Sequence, residues 1–296
     1  MTKKSSTTGK GFEYSLSNAL LTDCFNGSLS LSDNAERLQL NDKKKYLSLS
    51  EKEQKYFASQ SKKIAKYIES EYFLNADSVV LERFGDGYGT KGDPTDIQLK
   101  TNEMVLNISL KHNNLSLKHQ RPASVYQQIK VNDKAGESDY RSRIKQISND
   151  FFRSAKSIDR NIRLFKEVKQ ADDDLIDEEL YRLITHEYFQ VLSQYAQVRE
   201  VVQNFFYFLV GNVNYIQITM SENLIKIAKF NDIDAPDSME FSRISDSTFD
   251  LKFNNDFVFN LRLHTASSRI ENCENNCCSL KFDTKCSQMS IPSETV

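Results

Sequence analysis

Asp96 and Lys111 stand 15 residues apart in a stretch that reads Gly92-Asp93-Pro94-Thr95-Asp96 and then Asn107-Ile108-Ser109-Leu110-Lys111-His112-Asn113. Side chains alternate between faces along a strand. Ile97 and Leu99 share one face of a first strand, leaving Asp96 and Gln98 on the other. Leu106, Ile108 and Leu110 share the apolar face of a second strand, with Asn107, Ser109 and Lys111 opposite them. A tight turn at Thr101-Asn102 would place Asp96 close to Asn107, with Asp96, Ser109 and Lys111 on one polar surface. A carboxylate beside a lysine on a rigid hairpin suits phosphodiester hydrolysis. The carboxylate holds a hard divalent cation, which prefers oxygen ligands. The cation polarises the phosphate and lowers the pKa of water. The lysine positions that water and stabilises charge in the transition state. The plainer reading of the same spacing is a surface ion pair on a hairpin.

The sequence context favours chemistry. Pro94-Thr95-Asp96 followed by a strand that ends in Ser109-Leu110-Lys111 resembles the PD-(D/E)xK nuclease motif. The longer string from Ile108 to Asn113, with Leu117-Lys118-His119, is similar to the HaeIII-type restriction endonucleases in particular. So is the late string Leu261-Arg262-Leu263-His264-Thr265-Ala266-Ser267-Ser268-Arg269, followed after an interruption by Ser279 to Asp283. Gly11-Phe12-Glu13, opening a helix, is a third and weaker match. The resemblance implies an α+β fold with a restriction-endonuclease-like core and helical insertions. It implies Mg²⁺-dependent cleavage of a short double-stranded DNA site, GGCC for the family's namesake. Asp96 would be the metal carboxylate and Lys111 the catalytic lysine. Glu13 would be a second metal acid, with Glu82 a rival, and the Leu110 carbonyl would be a further ligand. Ser109 departs from the wider class, which usually has an acid two residues before the lysine.

Around this centre, His112, Asn113, Lys118, His119 and Arg121 are candidates for phosphate contact, and Arg262, His264, Ser267, Ser268 and Arg269 for phosphate or base edges. The competing reading of the second group is a loop capped by its own serines. A repair or recombination nuclease of the same fold is one alternative function. A DNA-binding module with a degenerate site is another, for which Ser109 is the motive. Under the restriction reading, a homodimer suits a palindromic site. A companion DNA methyltransferase would act on the same sequence.

The elements that must position these residues read as follows. Residues 1–10 look disordered. Gly11 to Leu21 reads as a helix, then a polar stretch runs to about Leu40. Leu49 to Tyr72 is a second helix, with a capping box at Ser50 and Glu53 and an apolar face of Phe57, Ile64, Tyr67 and Ile68. Strands are expected at Ser78–Phe84, Thr95–Lys100, Met104–Lys111, Asn214–Met220, Phe249–Phe253 and Phe257–His264, with helices dominating 140–209. Phe205, Phe206, Phe208 and Leu209 are expected to pack in the core. One endonuclease domain over residues 11–286 is the simplest organisation, with a C-terminal tail at 287–296.

The bulk numbers agree with a soluble globular protein: 39% hydrophobic and 27% charged residues. No apolar run reaches the roughly 20 residues that span a bilayer, and the first ten residues lack a signal-peptide core, so a cytoplasmic location is the default expectation. A net charge of −2 argues against a blanket nucleic-acid binder, but from Lys111 to Lys169 there are 14 Lys/Arg against 6 Asp/Glu. A basic middle suits phosphate neutralisation, and solvated helix faces are its plainer reading. The five cysteines, Cys24, Cys273, Cys277, Cys278 and Cys286, are odd in number and are expected as thiols rather than a disulfide framework. Four of them within 14 residues lack the paired knuckles of a zinc site.

Overall fold

The structure, a computed structural model, describes residues 3–74, 76–85, 93–113, 116–221, 224–289 and 291–296. The chain is α+β and forms two compact units, each assembled from separated segments. The single domain expected over residues 11–286 spans parts of both units. The segments that build each unit lie up to about a hundred residues apart, and no composition shift marks the crossings.

Unit 1 takes residues 1–115, 211–233 and 291–296. Its first part runs α1 (Lys3–Asp23), β1 (Leu29–Leu31), α2 (Asp33–Leu47), α3 (Glu51–Tyr72), β2 (Val79–Arg83), β3 (Ile97–Lys100) and β4 (Val105–His112). Unit 2 supplies β5 (Ser116–Gln120), α4 (Val125–Gln128), α5 (Lys134–Ile158), α6 (Phe165–Ala171), α7 (Arg182–Gln194) and α8 (Arg199–Val210). The chain returns to unit 1 for β6 (Tyr215–Ser221) and β7 (Leu224–Phe230). It then goes back to unit 2 for β8 (Met239–Arg243), β9 (Thr248–Phe253), β10 (Val258–Thr265) and β11 (Leu280–Gln288), and ends in unit 1 with β12 (Ser293–Thr295).

Among the described residues, the unit 1 sheet has the order β1-β2-β3-β4-β6-β7-β12. Strands β2, β3 and β4 form an antiparallel meander, β6 lies parallel to β4, and β7 runs antiparallel to β6. Alternation decides what is buried. Val79, Leu81, Ile97, Leu99, Leu106, Ile108, Ile216 and Ile218 face Phe12, Leu16 and Leu20 of α1 and Phe57, Ile64 and Ile68 of α3 in one apolar cluster. Each such side chain contributes about 1.5–3 kcal/mol. The expected capping box at the start of α3 is formed in both directions by Ser50 and Glu53.

Unit 2 has the antiparallel order β5-β11-β10-β9-β8. Its core is aromatic: Phe206 of α8 meets Phe253, Phe257 and Phe259 edge-on, and Tyr188 of α7 packs on Phe282 and Phe249. Phe205, Phe206 and Leu209 are buried, as expected of core residues, whereas Phe208 is only half-buried.

Three sequence expectations are corrected. Helix α1 begins at Lys3, inside the stretch expected to be disordered; its polar first turns show no hydrophobic period. The polar stretch before Leu40 holds β1 and about half of α2, a helix that buries only Ala35 and Asp42 and so carries almost no apolar signal. The expected C-terminal tail contributes β12, with Ser293 opposite Ala228. Among the described residues, no helix is long and apolar enough to cross a membrane.

Candidate active site

The β3–β4 hairpin fixes the position of Asp96. Gln98 opposes Asn107 and Ile97 opposes Ile108, joined by a Thr101–Met104 turn. Asp96 therefore enters beside Ser109 rather than Asn107, a two-residue change from the expected register. Its N–H donates to the Ile108 carbonyl at 2.9 Å, and its Oδ2 accepts the Leu110 N–H at 2.7 Å. A strand residue's N–H and C=O leave on the same side, so the Leu110 carbonyl is directed toward β3 as well. Among the described residues, no other hydrogen bond reaches the Asp96 carboxylate. Burial raises its pKa, while Lys111 is the strongest of the influences that lower it, followed by the Leu110 N–H. Lys111 itself makes no ion pair within 4.0 Å among the described residues, so its ammonium acts on Asp96 across a gap.

Glu13 approaches from α1 and is 6% exposed. Its Oε2 lies 2.6 Å from Arg83 Nη2, and Lys10 reaches its carboxylate at 3.0 Å from one helical turn earlier. Burial, then the Asp96 charge, pushes the Glu13 carboxyl up to about 7 against the pull of Lys10 and Arg83. Arg83 is fully buried; it also binds Asp42 Oδ2 at 2.8 Å and Gln39 Oε1 at 2.9 Å. Gln39 in turn donates to the Tyr14 carbonyl at 3.0 Å, and Lys45 pairs with Asp42 at 3.0 Å. Burying this many charges costs several kcal/mol per ion unless pairing is close to complete. The arrangement spends that cost on fixing the position of Glu13.

Arg83, Asp42 and Gln39 were not singled out from sequence. The signal was present in β2: Val79, Leu81 and Arg83 share the inward face, and an arginine in an apolar alternation needs a buried anion. Glu82, the rival acid, is engaged elsewhere. It accepts Asn34 Nδ2 at 2.9 Å and the Arg83 N–H at 2.9 Å. Burial raises its pKa, but hydrogen bonds from Ser32, Asn34 and the Arg83 amide outweigh that and hold it below the usual value. Gly87, Gly89 and Gly92 lie outside the described residues.

Ser109 does not lie on an open polar surface as expected. It is fully buried, and its hydroxyl has no partner among the described residues; the Thr95 hydroxyl is in the same state. His112 packs edge-on against Phe57 with ring centroids 5.0 Å apart, and burial lowers its pKa, which is a packing role. Asn113 has a positive φ of 51° and donates its N–H to Met220 O at 3.0 Å, so it shapes the strand exit.

The remaining candidates belong to unit 2. Lys118 sits 4.7 Å over the Phe208 ring. His119 Nδ1 lies 2.5 Å and His264 Nε2 2.8 Å from the two oxygens of Asp283, with Lys281 at 3.8 Å. The two imidazole contacts have ion-pair distances without hydrogen-bond alignment. His264 Nδ1 also faces the Thr265 carbonyl at 3.0 Å. Strand register explains the meeting: His119 of β5 opposes Asp283 of β11, and His264 of β10 opposes Lys281. Burial and Lys281 lower the His119 pKa against the pull of Asp283. Arg121 and Arg262 are exposed, and Arg121 Nη1 contacts Ser279 Oγ at 3.3 Å. Ser267 Oγ accepts the Arg269 N–H at 3.2 Å and Asn272 Nδ2 at 2.8 Å, so this loop is capped by its own serine. The Ser268 carbonyl accepts the Phe165 N–H, and Arg269 presents an exposed side chain. Cys273 and Cys278 form a disulfide, correcting the expectation of thiols, while Cys24, Cys277 and Cys286 are not bridged. The odd count hid a single short-range bridge within one loop.

No family model matches the chain, and no curated protein or solved structure matches it. Among the described residues no group of three or more His, Cys, Asp or Glu side chains is arranged to hold a metal. A hard cation does not require one: Mg²⁺ is commonly held by one or two carboxylates with water completing its shell. Asp96 and Glu13 are two buried carboxylates, and the Asp96 charge raises the proton affinity of Glu13; the Leu110 carbonyl and the unpartnered hydroxyls of Thr95 and Ser109 belong to the same stretch of hairpin as Asp96. This all-oxygen set has the donor chemistry that Mg²⁺ prefers.

Proposed function

We propose that the chain is a magnesium-dependent endonuclease that hydrolyses phosphodiester bonds at a short double-stranded DNA sequence, similar to the HaeIII-type restriction enzymes. The observation that carries this reading is the convergence of Glu13, Asp96 and Lys111 from α1, the head of β3 and the end of β4. The order helix, three-stranded meander, then β6 parallel to β4 supports a PD-(D/E)xK core. In this reading Asp96 and Glu13 hold the cation with help from the Leu110 carbonyl. Bound there, Mg²⁺ supplies Lewis acidity to the scissile phosphate. Lys111 orients the attacking water and offsets negative charge on the phosphate oxygens. Arg83 keeps Glu13 in place from beneath. In unit 2, taken by itself, the polar sheet face of His119, Arg262, His264 and Lys281 suits phosphate contact.

The test is incubation of the purified chain with plasmid of known sequence and Mg²⁺, followed by mapping of the ends. Discrete fragments with a common terminal sequence support the proposal. Random nicking favours a repair nuclease of the same fold. DNA binding without cleavage favours a catalytically silent module, a reading motivated by the Lys10 and Arg83 contacts that already occupy Glu13.

A further inference from the structure

Four side chains on β4 and β6 form a two-by-two array. Ser109 and Lys111 share one face of β4, and Gln217 and Thr219 share the corresponding face of β6. The parallel register sets Ser109 beside Gln217 and Lys111 beside Thr219. Ser109 is 0% and Gln217 7% exposed. Gln217 Nε2 donates to Thr219 Oγ1 at 3.3 Å. Gln217 Oε1 and Ser109 Oγ, neighbours in register, have no hydrogen-bond partner among the described residues.

Two buried, unpartnered polar atoms side by side forfeit their hydration with nothing in return. Such atoms are normally satisfied by an ordered water. The amide orientation does not remove the problem. A hydroxyl donates or accepts, so Thr219 is satisfied either way and one amide atom is left without a partner. Apolar residues would have filled these positions at no such cost, as Ile216 and Ile218 do on the other face.

We infer that Ser109 and Gln217 jointly seat a water molecule next to Lys111, and that Gln217 thereby supplies the neutral oxygen that replaces the acid missing at position 109. The inference rests on the nuclease reading for what that water does. Held by Ser109 and Gln217, it stands within reach of a cation on the Asp96 and Glu13 carboxylates and of the Lys111 ammonium. Gln217 is a positioning residue in this scheme: it acts through the water.

The test uses the full chain and Mn²⁺ as the probe, read by titration calorimetry, with thermal unfolding to confirm that each variant folds. Gln217→Leu removes the oxygen at similar volume, and Gln217→Glu keeps it. Gln217→Leu is expected to weaken Mn²⁺ about tenfold, and Gln217→Glu to bind at least as tightly as the parent. Because Ser109 and Gln217 hold one water, Ser109→Ala combined with Gln217→Leu is expected to be no weaker than the more affected single variant. Unchanged Mn²⁺ affinity in Gln217→Leu overturns the inference, as does a double variant in which the two losses multiply. If the parent binds Mn²⁺ and Asp96→Ala abolishes it, the nuclease reading survives that failure. If the parent binds no Mn²⁺, both fall together.

Discussion

Arg83 and Glu13 meet 2.6 Å apart, with the guanidinium fully buried and the carboxylate side chain 8% exposed. The same arginine nitrogen reaches Asp42 at 2.8 Å. One buried cation is shared by two acids from α1 and α2, and the acid nearer the proposed catalytic centre is the one also influenced by Asp96.

Replacing Arg83 by Met is therefore expected to leave two acids uncompensated and to destabilise unit 1 by roughly 3–5 kcal/mol, the usual cost of breaking a buried pair from one side. Adding Glu13→Gln and Asp42→Asn to Arg83→Met should recover part of that loss. Urea midpoints of the parent, Arg83→Met and the triple variant check this. A triple variant no more stable than Arg83→Met would show that the arginine acts through packing instead.

The Glu13 carboxyl, raised from 4.5 to about 7 by burial and then by Asp96, makes stability depend on pH. The folded state holds this proton where the unfolded state has released it. Stability from this group is complete below about pH 4.5 and is lost as pH rises through about 7. The full loss is roughly 3 kcal/mol. Glu13→Gln is expected to flatten that window. Denaturant midpoints at pH 5 and pH 8 for both proteins decide it, and parallel pH profiles would exclude the assignment.

Asp96→Ala is expected to remove metal-dependent cleavage by taking away the cation's anchor. Lys111→Ala should also stop cleavage while keeping most of the DNA affinity. Cleavage rate and duplex binding measured on the same folded preparations separate the two roles. Substantial cutting by either variant would end the proposal.

Ser109→Ala is expected to slow single-turnover cleavage about tenfold without abolishing it, corresponding to the loss of one hydrogen bond of about 1 kcal/mol or a little more. A loss as complete as that of Asp96→Ala would make the hydroxyl an indispensable ligand or proton relay.

Asp283→Asn removes the one carboxylate that His119, His264 and Lys281 share. If this sheet face meets phosphates, non-specific duplex binding should tighten, and the slope of log affinity against log salt should steepen by about one. An unchanged slope would place DNA elsewhere.

The sequence made part of this readable and concealed the rest for physical reasons. The hairpin carrying Asp96 and Lys111 was legible because apolar residues alternate through Ile97, Leu99, Leu106, Ile108 and Leu110. Its register was misjudged by two because turn length, not periodicity, sets it. Helix α3 announced itself through Ser50, Glu53 and a strong apolar stripe. Helix α2 did not, since Asp42 is its main buried anchor and its partner Arg83 lies 41 residues away. The Ser109–Gln217 pair was invisible for the same reason: strand neighbours more than a hundred residues apart leave no local pattern.

The parallel pairing of β4 with β6 also bears on how the molecule is made. Strand β4 is synthesised about a hundred residues before the partner that covers its edge, and β12 follows its partner β7 by more than 60 residues. Contacts this remote in sequence slow folding, since loop closure precedes any reward from pairing. Until Tyr215–Ser221 emerges, the edge of β4 offers unpaired amides and carbonyls to any passing strand. The nascent chain therefore faces its greatest aggregation hazard between the synthesis of β4 and that of β6, and a fragment truncated before residue 211 should be insoluble.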